Sequence, residues 1–519
     1  MRLALPASIE NYGPVMPFDG RNASVVTTAI AARRVYVAQR GRIKRLRGIA
    51  DALDACELKD GAVLSFHHHL RNGDGVLNLV VEAAARRGLK ELTIAASSIF
   101  PVHAPLVEHI RRGVVTRIVT AYVSGPVADA VSSGLLPTPM VMQTHGGRAR
   151  AIQSGTLHID AAFVAAPTAD EFGNLSGAVG RAACGPLGYA MVDAEYADRV
   201  VAVTDNIVPF PAHPVDIRQD QVDFVVAVES IGDPAGILSG TTRPTADPLG
   251  LQIAATAAQV IEASGLLNDE FSFQTGAGGI SLAVANELGA IMRRMGVQGS
   301  FAAGGVTGTL CDMLEAGLFR GIYDVQCFDL RAVESYRRDP RHLAMSASLY
   351  ANPHGRDPVV NRLKTMILGA AEVDLGFNVN VSTGSTGRIL GGSGGHADTA
   401  DGSELAIVTT RLAASSGPKL VEQVKCRTTP GSTIDVVVTE AGVAVNPLRP
   451  GLSDRLRRFG LNVQPIEALQ AAAAGSAAPA SAPSAGGRVV AVAEYRDGSV
   501  IDLIHEVGAA SPAPSTIPR

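Results

Sequence analysis

The 519-residue sequence contains no tryptophan, and aromatic residues make up only 4% of it. Hydrophobic residues still account for 46%, so the core must be built from alanine, valine, leucine and isoleucine. No run of about 18 uninterrupted apolar residues occurs, and the polar Glu10 and Asn11 interrupt the N-terminal segment. The sequence therefore predicts neither a membrane-spanning helix nor an export signal.

Cysteine and excess charge of one sign are also scarce. The 45 Lys and Arg against 49 Asp and Glu give a net charge of −4, which disfavours a nucleic-acid-binding protein. No C-x-x-C pair occurs, so neither a zinc ribbon nor a disulfide framework is indicated. Isolated cysteines are typical of a reducing compartment, and we expect a cytoplasmic protein. The five cysteines are Cys56, Cys184, Cys311, Cys327 and Cys426.

Glycine, in contrast, is abundant. The chain has 55 glycines, above the usual share of about 7%. In an aliphatic protein such an excess predicts close backbone packing and turns that contact ligands.

The chain divides into segments of different character. Residues 1–60 are predicted to form an N-terminal arm and helix, and their basic cluster is either a solvated arm or a dock for an acidic partner. The cluster comprises Arg33, Arg34, Arg40, Arg42, Lys44, Arg45 and Arg47. Residues 61–221 and 222–470 are predicted to form two α/β units, because apolar runs alternate with helical patterns as in doubly covered parallel sheets. Predicted strands of the first unit are 61–66, 92–96, 114–121 and 161–165.

The C-terminal part contains a change in composition. Residues 471–487 (AAAAGSAAPASAPSAGG) are of low complexity and predict a flexible linker. Within residues 488–519, two alternating runs flank Asp497-Gly498, which is a strong hairpin signal. The final dozen residues are predicted to be disordered.

The first candidate for chemistry is the segment 65–75, which begins SFHHHLR and lies between a predicted strand and a predicted helix. Ligands bind at the carboxyl ends of strands in open parallel sheets. Three histidines and Arg71 would suit a polycarboxylate. Since adjacent residues of an extended chain alternate in direction, only His67 and His69 could share one metal ion. Metal binding and purely structural histidines remain the alternatives.

Three glycine-containing segments have compatible chemistry. In the first, residues 143–150, a Gly pair precedes Arg148 and Arg150, which could clamp carboxylates or be exposed loop charges. In the second, residues 274–279 (QTGAGG), backbone amides at a helix start could bind an oxyanion, and neither a Walker loop nor a complete dinucleotide fingerprint is present. The third, residues 383–395, is either a loop that wraps an elongated ligand or a mobile surface loop, and Asp398 follows it.

Together these segments resemble the alpha subunits of bacterial citrate lyases. The resemblance runs from residue 60 to the C-terminus and departs from the family at 471–487. Its motifs are 65–71 (SFHHHLR), 145–152 (HGGRARAI), 169–174 (ADEFGN), 204–214 (TDNIVPFPAHP), 274–279 (QTGAGG) and 494–502 (EYRDGSVID).

A more distant resemblance links both halves to CoA-transferases. It rests on Asp170, Gly173 and Asn174 in the first half and on segments 372–375 and 394–398 in the second. It implies two tandem Rossmann-like α/β domains with mostly parallel sheets and the active site between them. Common CoA-transferases carry a nucleophilic glutamate, whereas the corresponding segment 300–305 here reads SFAAGG.

The citrate lyase resemblance implies an enzyme that converts acetyl-carrier and citrate into citryl-carrier and acetate. It implies attack by citrate itself in a ternary complex, through a mixed anhydride. It further implies no cofactor of the chain's own, because an acyl carrier (gamma) subunit supplies a CoA-like group. A citryl-carrier lyase (beta) subunit is the other expected partner, in a homo- or hetero-oligomeric complex.

We predict the site residues by their chemistry. His67, His69, Arg71, His145, Arg148 and Arg150 are predicted to bind citrate. Gly276, Gly278 and Gly279 are predicted to supply oxyanion contacts, and Gly394, Gly395 and Asp398 to line the carrier-arm channel. No metal is expected. Loss of Arg148 is predicted to raise the KM for citrate with little effect on folding.

Two other functions fit the same sequence. One is a CoA-transferase or acyl-CoA hydrolase for another carboxylate, such as citramalate. The other is a scaffold that gathers carrier and lyase subunits without catalysing transfer.

Overall fold

The computed structural model describes residues 5–20, 30, 41–238, 243–476 and 487–508. Arg33, Arg34 and Arg40 of the basic cluster lie outside these residues, as do residues 477–486 of the predicted linker and 509–519 of the predicted disordered end. The fold is α/β, with two large and mostly parallel sheets. This confirms the predicted fold class.

The first large sheet has ten strands, and all neighbours are parallel except the C-terminal pair. Most of its strands are short, buried runs of valine, alanine and isoleucine, as expected of strands covered on both faces. In spatial order the strands are Val500–His505, Val489–Glu494, Met140–Met142, Val115–Thr120, Leu92–Ala96, Val63–Phe66, Ala161–Ala166, Arg199–Thr204, Phe224–Ala227 and Arg45–Leu46.

The second large sheet has eight strands and ends in the antiparallel pair Val436–Thr439 and Gly442–Val445. Its other neighbours are parallel. In spatial order the strands are His342–Ala344, Phe319–Cys327, Gly299–Val306, Ser272–Thr275, Thr365–Gly369, Leu405–Thr409, Val436–Thr439 and Gly442–Val445.

Two segments differ from the sequence expectation. The strand Phe224–Ala227, placed by sequence at the start of the second unit, pairs with Arg199–Thr204 in the first sheet. The predicted boundary at residue 222 therefore falls inside the first sheet, because a buried valine run does not indicate which sheet it joins. In addition, residues 471–476 of the predicted linker extend the helix Ile466–Ser476, since alanine favours helix.

The predicted C-terminal hairpin is confirmed. Val489–Glu494 and Val500–His505 pair antiparallel, and Val489–Glu494 also pairs in parallel with Met140–Met142. The hairpin thus completes one edge of the first sheet.

Helices connect and cover the strands, and fourteen α-helices lie within the described residues. In the first half they are Ile49–Ala55, Val76–Arg86, Leu106–Arg111, Pro126–Ser132, His145–Ser154 and Gly188–Tyr196. The remainder are Pro248–Ser264, Gly279–Met295, Gly308–Glu315, Leu330–Arg338, Ala347–Ala351, His396–Gly402, Pro450–Phe459 and Ile466–Ser476. None of the described helices is long and apolar enough to cross a membrane.

A small three-stranded sheet recurs in each half. One contains Thr168–Asp170 and the other Glu372–Asp374. In both, the aspartate that ends the strand accepts the backbone N–H of an asparagine four residues later, Asn174 or Asn378. The two halves therefore share a local turn as well as a strand–helix pattern.

The two halves share an apolar core. The largest apolar cluster includes buried residues of both large sheets, such as Phe163 and Phe319. The junction is tight at Gly188, where an added Cβ would lie 2.4 Å from the Met345 carbonyl oxygen. All five cysteines are buried free thiols, in keeping with the sequence expectation.

Candidate functional site

A cavity of about 440 Å³ lies between the two halves. Its wall is formed by residues that follow strands of both sheets, including His68 after Val63–Phe66 and Gly276 after Ser272–Thr275. This is the position at which open parallel sheets bind ligands. The volume falls in the usual range for small-molecule sites, about 300–1,000 Å³.

The charge of the cavity wall has one sign. Among the described residues that line it, there is no aspartate or glutamate. The titratable basic side chains that line it are His68, Arg71, His145, His396 and Lys419. Such a wall favours an anion, because burial of an anion needs a compensating positive charge.

Arg71 is the principal buried cation of the wall. Its guanidinium carbon lies 4.9 Å from the Phe100 ring centre and 5.1 Å from that of Phe328, so two aromatic faces hold it. Its Nε has no hydrogen-bond partner. Burial lowers the pKa of Arg71 to about 10, which leaves it charged at neutral pH.

His68 and His145 form a stacked pair beside Arg71. Their ring centres are 5.7 Å apart, and Tyr189 lies 4.6 and 4.5 Å from the two rings. The His68 Nδ1 is 2.6 Å from the Ser97 hydroxyl, while the His145 Nδ1 has no partner. Burial lowers the pKa of both imidazoles, that of His145 to about 3, so both are neutral at pH 7.

His67 and His69 do not line the cavity. Their rings stack 6.1 Å apart, so they do share a face, but that face is turned away from the cavity. The His67 Nε2 lies 3.2 Å from Asp193, and the His69 Nε2 accepts the Tyr189 backbone N–H at 3.3 Å. The alternation anticipated from sequence is present, and it directs the middle histidine, His68, into the cavity.

Arg148 lies outside the cavity wall and pairs with Asp193. Two guanidinium nitrogens donate to the carboxylate at 2.9 and 2.7 Å, and one also donates to the Ala95 carbonyl oxygen at 2.9 Å. Burial alone would raise the pKa of Asp193, but Arg148 and His67 hold it well below its usual range. Arg148 is therefore committed to an internal ion pair.

Arg150 also lies outside the wall. It packs under the hairpin turn, where an added Cβ at Gly498 would meet an Arg150 nitrogen at 2.5 Å. Burial lowers the pKa of its guanidinium, which lies near the carboxylates of Glu494 and Asp497.

Of the three glycines predicted to supply oxyanion contacts, some line the cavity and some do not. Gly276 and Gly278 line the cavity and Gly279 does not. The Gly276 amide donates to the Ile367 carbonyl oxygen at 2.7 Å. Gly278 is the N-cap of the helix Gly279–Met295. The first amides of a helix lack intrahelical partners, and no N-cap side chain accepts from them here.

The glycine-rich segment before residue 396 forms one side of the cavity. Gly394 and Gly395 line it, and an added Cβ at Gly395 would meet the Tyr350 hydroxyl at 2.5 Å. Asp398 does not line the cavity. Its carboxylate instead accepts hydrogen bonds from Thr144 and the Gly146 amide.

Several polar wall residues were not predicted from sequence. Gln274 donates to the Tyr350 hydroxyl at 2.7 Å, and Gln326 donates to the His68 carbonyl oxygen at 2.6 Å. The amide oxygens of both glutamines are buried without partners. Gln274 stands in the predicted segment 274–279 and could have been selected, whereas Lys419 has no local sequence signal.

The segment that replaces the glutamate motif of CoA-transferases lies in the strand Gly299–Val306. Gly305 lines the cavity, and an added Cβ there would lie 2.1 Å from the Phe328 ring. Gly304 has φ +102°, and its Cβ would lie 2.3 Å from the Gln274 side chain. These contacts leave no space for a carboxylate side chain.

Two groups of side chains bring potential metal ligands together within the described residues. Asp324, Cys327 and His342 are buried, and His158, Asp160 and Asp198 lie nearer the surface. Neither group lines the cavity. In the buried group, Asp324 accepts from Cys327 at 3.1 Å and lies 3.0 Å from the His342 Nε2.

Comparison with known proteins agrees with the resemblance. Residues 43–507 match the family described as Citrate lyase, alpha subunit (CitF). The citrate lyase alpha chain of Escherichia coli strain K12 is 47% identical over 479 residues, covering 92% of this chain and 93% of that protein. The crystal structure of a citrate lyase alpha subunit from Streptococcus mutans, in complex with citrate, is 43% identical with a TM-score of 0.92, covering 94% and 96% of the two chains.

A more distant likeness concerns the fold alone. The 4-hydroxybutyrate CoA-transferase of Porphyromonas gingivalis is 19% identical with a TM-score of 0.51, covering 80% of this chain and 97% of that one. It confirms the CoA-transferase-like architecture expected from sequence. With the family match across most of its length, this chain belongs to the citrate lyase alpha subunit family.

Proposed function

We propose that this chain transfers an acyl-carrier thioester from acetate to citrate, producing citryl-carrier and acetate. The observation that carries the proposal is the cavity wall, which holds buried basic side chains and no carboxylate in its described part. The family match and the citrate bound to the Streptococcus mutans relative favour a tricarboxylate as the anion.

Citrate is proposed to bind where Arg71, His68 and His145 converge. Arg71 supplies permanent charge, and its free Nε can donate to a carboxylate. The neutral imidazoles supply N–H donors whose tautomer adapts to the ligand. Gln274 and Tyr350 are available for the hydroxyl group and remaining carboxylates.

The proposed reaction proceeds in two displacements. A citrate carboxylate oxygen attacks the acetyl carbonyl carbon, and the C–S bond breaks to give a citric–acetic anhydride and a carrier thiolate. The thiolate then attacks the citryl carbonyl carbon, and acetate leaves with the bridging oxygen. The three negative charges of citrate end as two on the citryl thioester and one on acetate.

The chain's contribution to this chemistry is positioning. Well-oriented reactants can reach effective molarities on the order of 10⁵ M or more, so alignment of citrate with the thioester accounts for much of the acceleration. The free amides at the start of the helix Gly279–Met295 would face the thioester oxygen beside Gly278, and one such donor contributes roughly 3 kcal/mol.

Tight packing supports direct attack by citrate. The place of the usual glutamate nucleophile is filled by Gln274 and the Phe328 ring, so a glutamyl–thioester intermediate has no carboxylate in the described wall. The thioester is proposed to arrive on the CoA-like arm of a carrier subunit past Gly394 and Gly395. The chain then needs no cofactor of its own, and a lyase subunit would cleave the citryl-carrier product.

The test uses the purified full chain with acetyl-CoA as thioester donor. Formation of citryl-CoA and acetate from citrate supports the proposal. Release of free CoA without citryl-CoA would indicate a hydrolase. Faster transfer to citramalate than to citrate would indicate a transferase for another carboxylate, and the absence of turnover would indicate a scaffold. Each of these three results contradicts the proposal.

Oxygen labelling in a single turnover tests the mechanism. With citrate labelled by ¹⁸O in its carboxylates, direct attack places one labelled oxygen in the first acetate released. An enzyme carboxylate nucleophile would supply that oxygen itself, so unlabelled acetate in the first turnover would contradict the ternary mechanism.

Arg71→Gln is expected to raise the KM for citrate about 10- to 100-fold, because a charged hydrogen bond contributes roughly 1.5–3 kcal/mol. The KM for acetyl-CoA should change less than threefold. Arg427→Gln is the matched control, since Arg427 also lies over an aromatic ring, Phe18, but does not line the cavity. An unchanged KM for citrate in Arg71→Gln would remove Arg71 from the citrate site.

A further inference from the structure

Asp398 joins the two halves at the start of the helix that carries His145. The helix His145–Ser154 belongs to the first half, and Asp398 lies in the helix His396–Gly402 of the second. One Asp398 oxygen accepts the Thr144 hydroxyl at 2.8 Å, and the other accepts the Gly146 amide at 2.9 Å. The carboxylate therefore binds the residues on both sides of His145.

The His145 backbone is held by the same segment of the second half. Its amide donates to the Gly394 carbonyl oxygen at 2.8 Å, and Thr144 forms a parallel bridge with Gly394. Gly146 allows this approach, because an added Cβ would lie 2.0 Å from the Ala351 carbonyl oxygen and 2.7 Å from Asp398. Three consecutive residues, 144–146, are thus bound by the 394–398 segment.

The carboxylate is buried but has a cationic neighbour. Asp398 is fully inaccessible, and the Arg496 Nε lies 3.6 Å from it. Arg496 also pairs with Asp401 and donates to the Ala351 carbonyl oxygen at 3.1 Å. Burial raises the pKa of Asp398 to about 6 and Arg496 opposes the rise, so the group is mainly ionised at neutral pH.

We infer that Asp398 is a positioning residue for His145, which it fixes in the cavity from the opposite half of the molecule. This inference rests on the proposed function, in which His145 contacts citrate. It replaces the sequence expectation that Asp398 itself lines a carrier-arm channel, since the side chain does not reach the cavity.

Asp398→Asn is a conservative way to remove this function. An amide keeps one acceptor oxygen but presents a donor in place of the other, so it cannot accept from both Thr144 and Gly146. The variant preserves volume and changes the bonds on either side of His145, and it also removes the negative charge that faces Arg496.

The experiment is a double-mutant cycle on citrate transfer from acetyl-CoA by the full chain. Asp398→Asn is expected to lower kcat/KM for citrate at least tenfold in the wild-type background. It should lower it less than twofold in the His145→Ala background, because its effect passes through His145. Three results would each overturn the inference. They are an equal loss of kcat/KM in both backgrounds, a wild-type kcat/KM in Asp398→Asn, and a wild-type kcat/KM in His145→Ala.

A second measurement separates this inference from the proposed function. Hydrogen exchange of a peptide covering residues 143–150 should be faster in Asp398→Asn than in the wild type, whether or not citrate is the substrate. If the wild type fails to transfer to citrate, the proposed function fails while exchange still tests the contact. Unchanged exchange would overturn the inference.

Asp170→Asn provides the matched control for general loss of stability. Asp170 is also buried and accepts several backbone amides, including those of Phe172 and Ala212, at a position that does not line the cavity. It should lower the melting temperature without faster exchange of the peptide covering residues 143–150 and without coupling to His145→Ala. The same exchange and coupling in Asp170→Asn would show that destabilisation alone produces them, and would overturn the inference.

Discussion

Arg71 and Arg148 are both buried guanidinium groups, and their partners give them different roles. Arg71 stacks between two aromatic rings and keeps its Nε unpaired, so its charge is available to a ligand. Arg148 donates hydrogen bonds to the Asp193 carboxylate and to a backbone carbonyl oxygen. The first is therefore suited to binding a ligand, and the second to an internal ion pair.

Arg148→Ala is expected to destabilise the protein by about 3–5 kcal/mol, because it leaves the buried Asp193 without its main counter-ion. This revises the expectation from sequence that folding would change little. Thermal melting checks it, with Arg294→Ala as control, since Arg294 forms an exposed pair with Glu262 that contributes about 1 kcal/mol or less. A melting temperature within 2 °C of the wild type would contradict the prediction.

The histidine segment shows what sequence can predict at this scale. The position of residues 65–71 after a strand follows from hydrophobic patterning, and alternation predicts that His67 and His69 share one face. Which face meets the cavity depends on Asp193, far away in sequence, which pairs with His67. Local patterning carries no information about that partner.

Among the elements, the strand Gly299–Val306 packs most closely against the cavity wall at its two glycines. Gly304 and Gly305 let the Gln274 side chain and the Phe328 ring pack directly on the strand. Phe328 in turn supports Arg71. The strand therefore leaves no space for a carboxylate side chain at Gly304 and Gly305, and it supports the ring that holds Arg71.

Gly305→Ala is expected to destabilise the protein by about 1–3 kcal/mol and to raise the KM for citrate, because a Cβ there displaces the Phe328 ring. Thermal melting and citrate kinetics measure both effects. Gly289→Ala is the control, since its Cβ would make only ordinary contacts of 3.6 Å or more within a helix. Wild-type KM and stability in Gly305→Ala would show that the ring is not fixed.

The sequence predicts that most strands and helices exist, but it does not predict which sheet each strand joins. The helix Gly279–Met295 and the strand Leu92–Ala96 follow from periodicity and apolar runs. The valine run predicts the strand Phe224–Ala227 but not the sheet that it joins, because pairing is decided by distant residues such as Arg199–Thr204.

For the whole molecule, the buried histidines make stability depend on pH. Burial lowers the pKa of His69 to about 3, whereas an unfolded histidine has a pKa near 6.5. The unfolded chain therefore binds this proton first, and the stability present above pH 6.5 is lost as the pH falls toward 3.

His69→Gln should remove the uptake of about one proton on unfolding. The slope of the unfolding free energy against pH should then fall by about 1.4 kcal/mol per pH unit between pH 6 and 4.

Asp216→Asn should change the same slope with the opposite sign. Burial raises the pKa of Asp216 to about 6, so its stabilising contribution is present below pH 4 and is lost as the pH rises through 6. Urea unfolding midpoints at several pH values measure both slopes, and parallel curves for the three proteins would contradict the prediction.

The sequence predicts only some of the residues that line the cavity. The two halves bring together His145, Gly276 and Gly394, and their segments were all predicted for this region. Lys419 and Tyr350 also line the cavity, although no local pattern marks either of them. Such positions depend on the packing of the two halves, which no local motif encodes.

The edge of the first sheet has a consequence during synthesis. Met140–Met142 pairs with Val489–Glu494, so one strand leaves the ribosome long before its neighbour exists. At about 5–20 residues per second, the roughly 350 intervening residues take on the order of 20 to 70 seconds to translate. During that interval the edge of Met140–Met142 is unpaired, so the nascent protein is open to edge-to-edge aggregation until its last hairpin has been made.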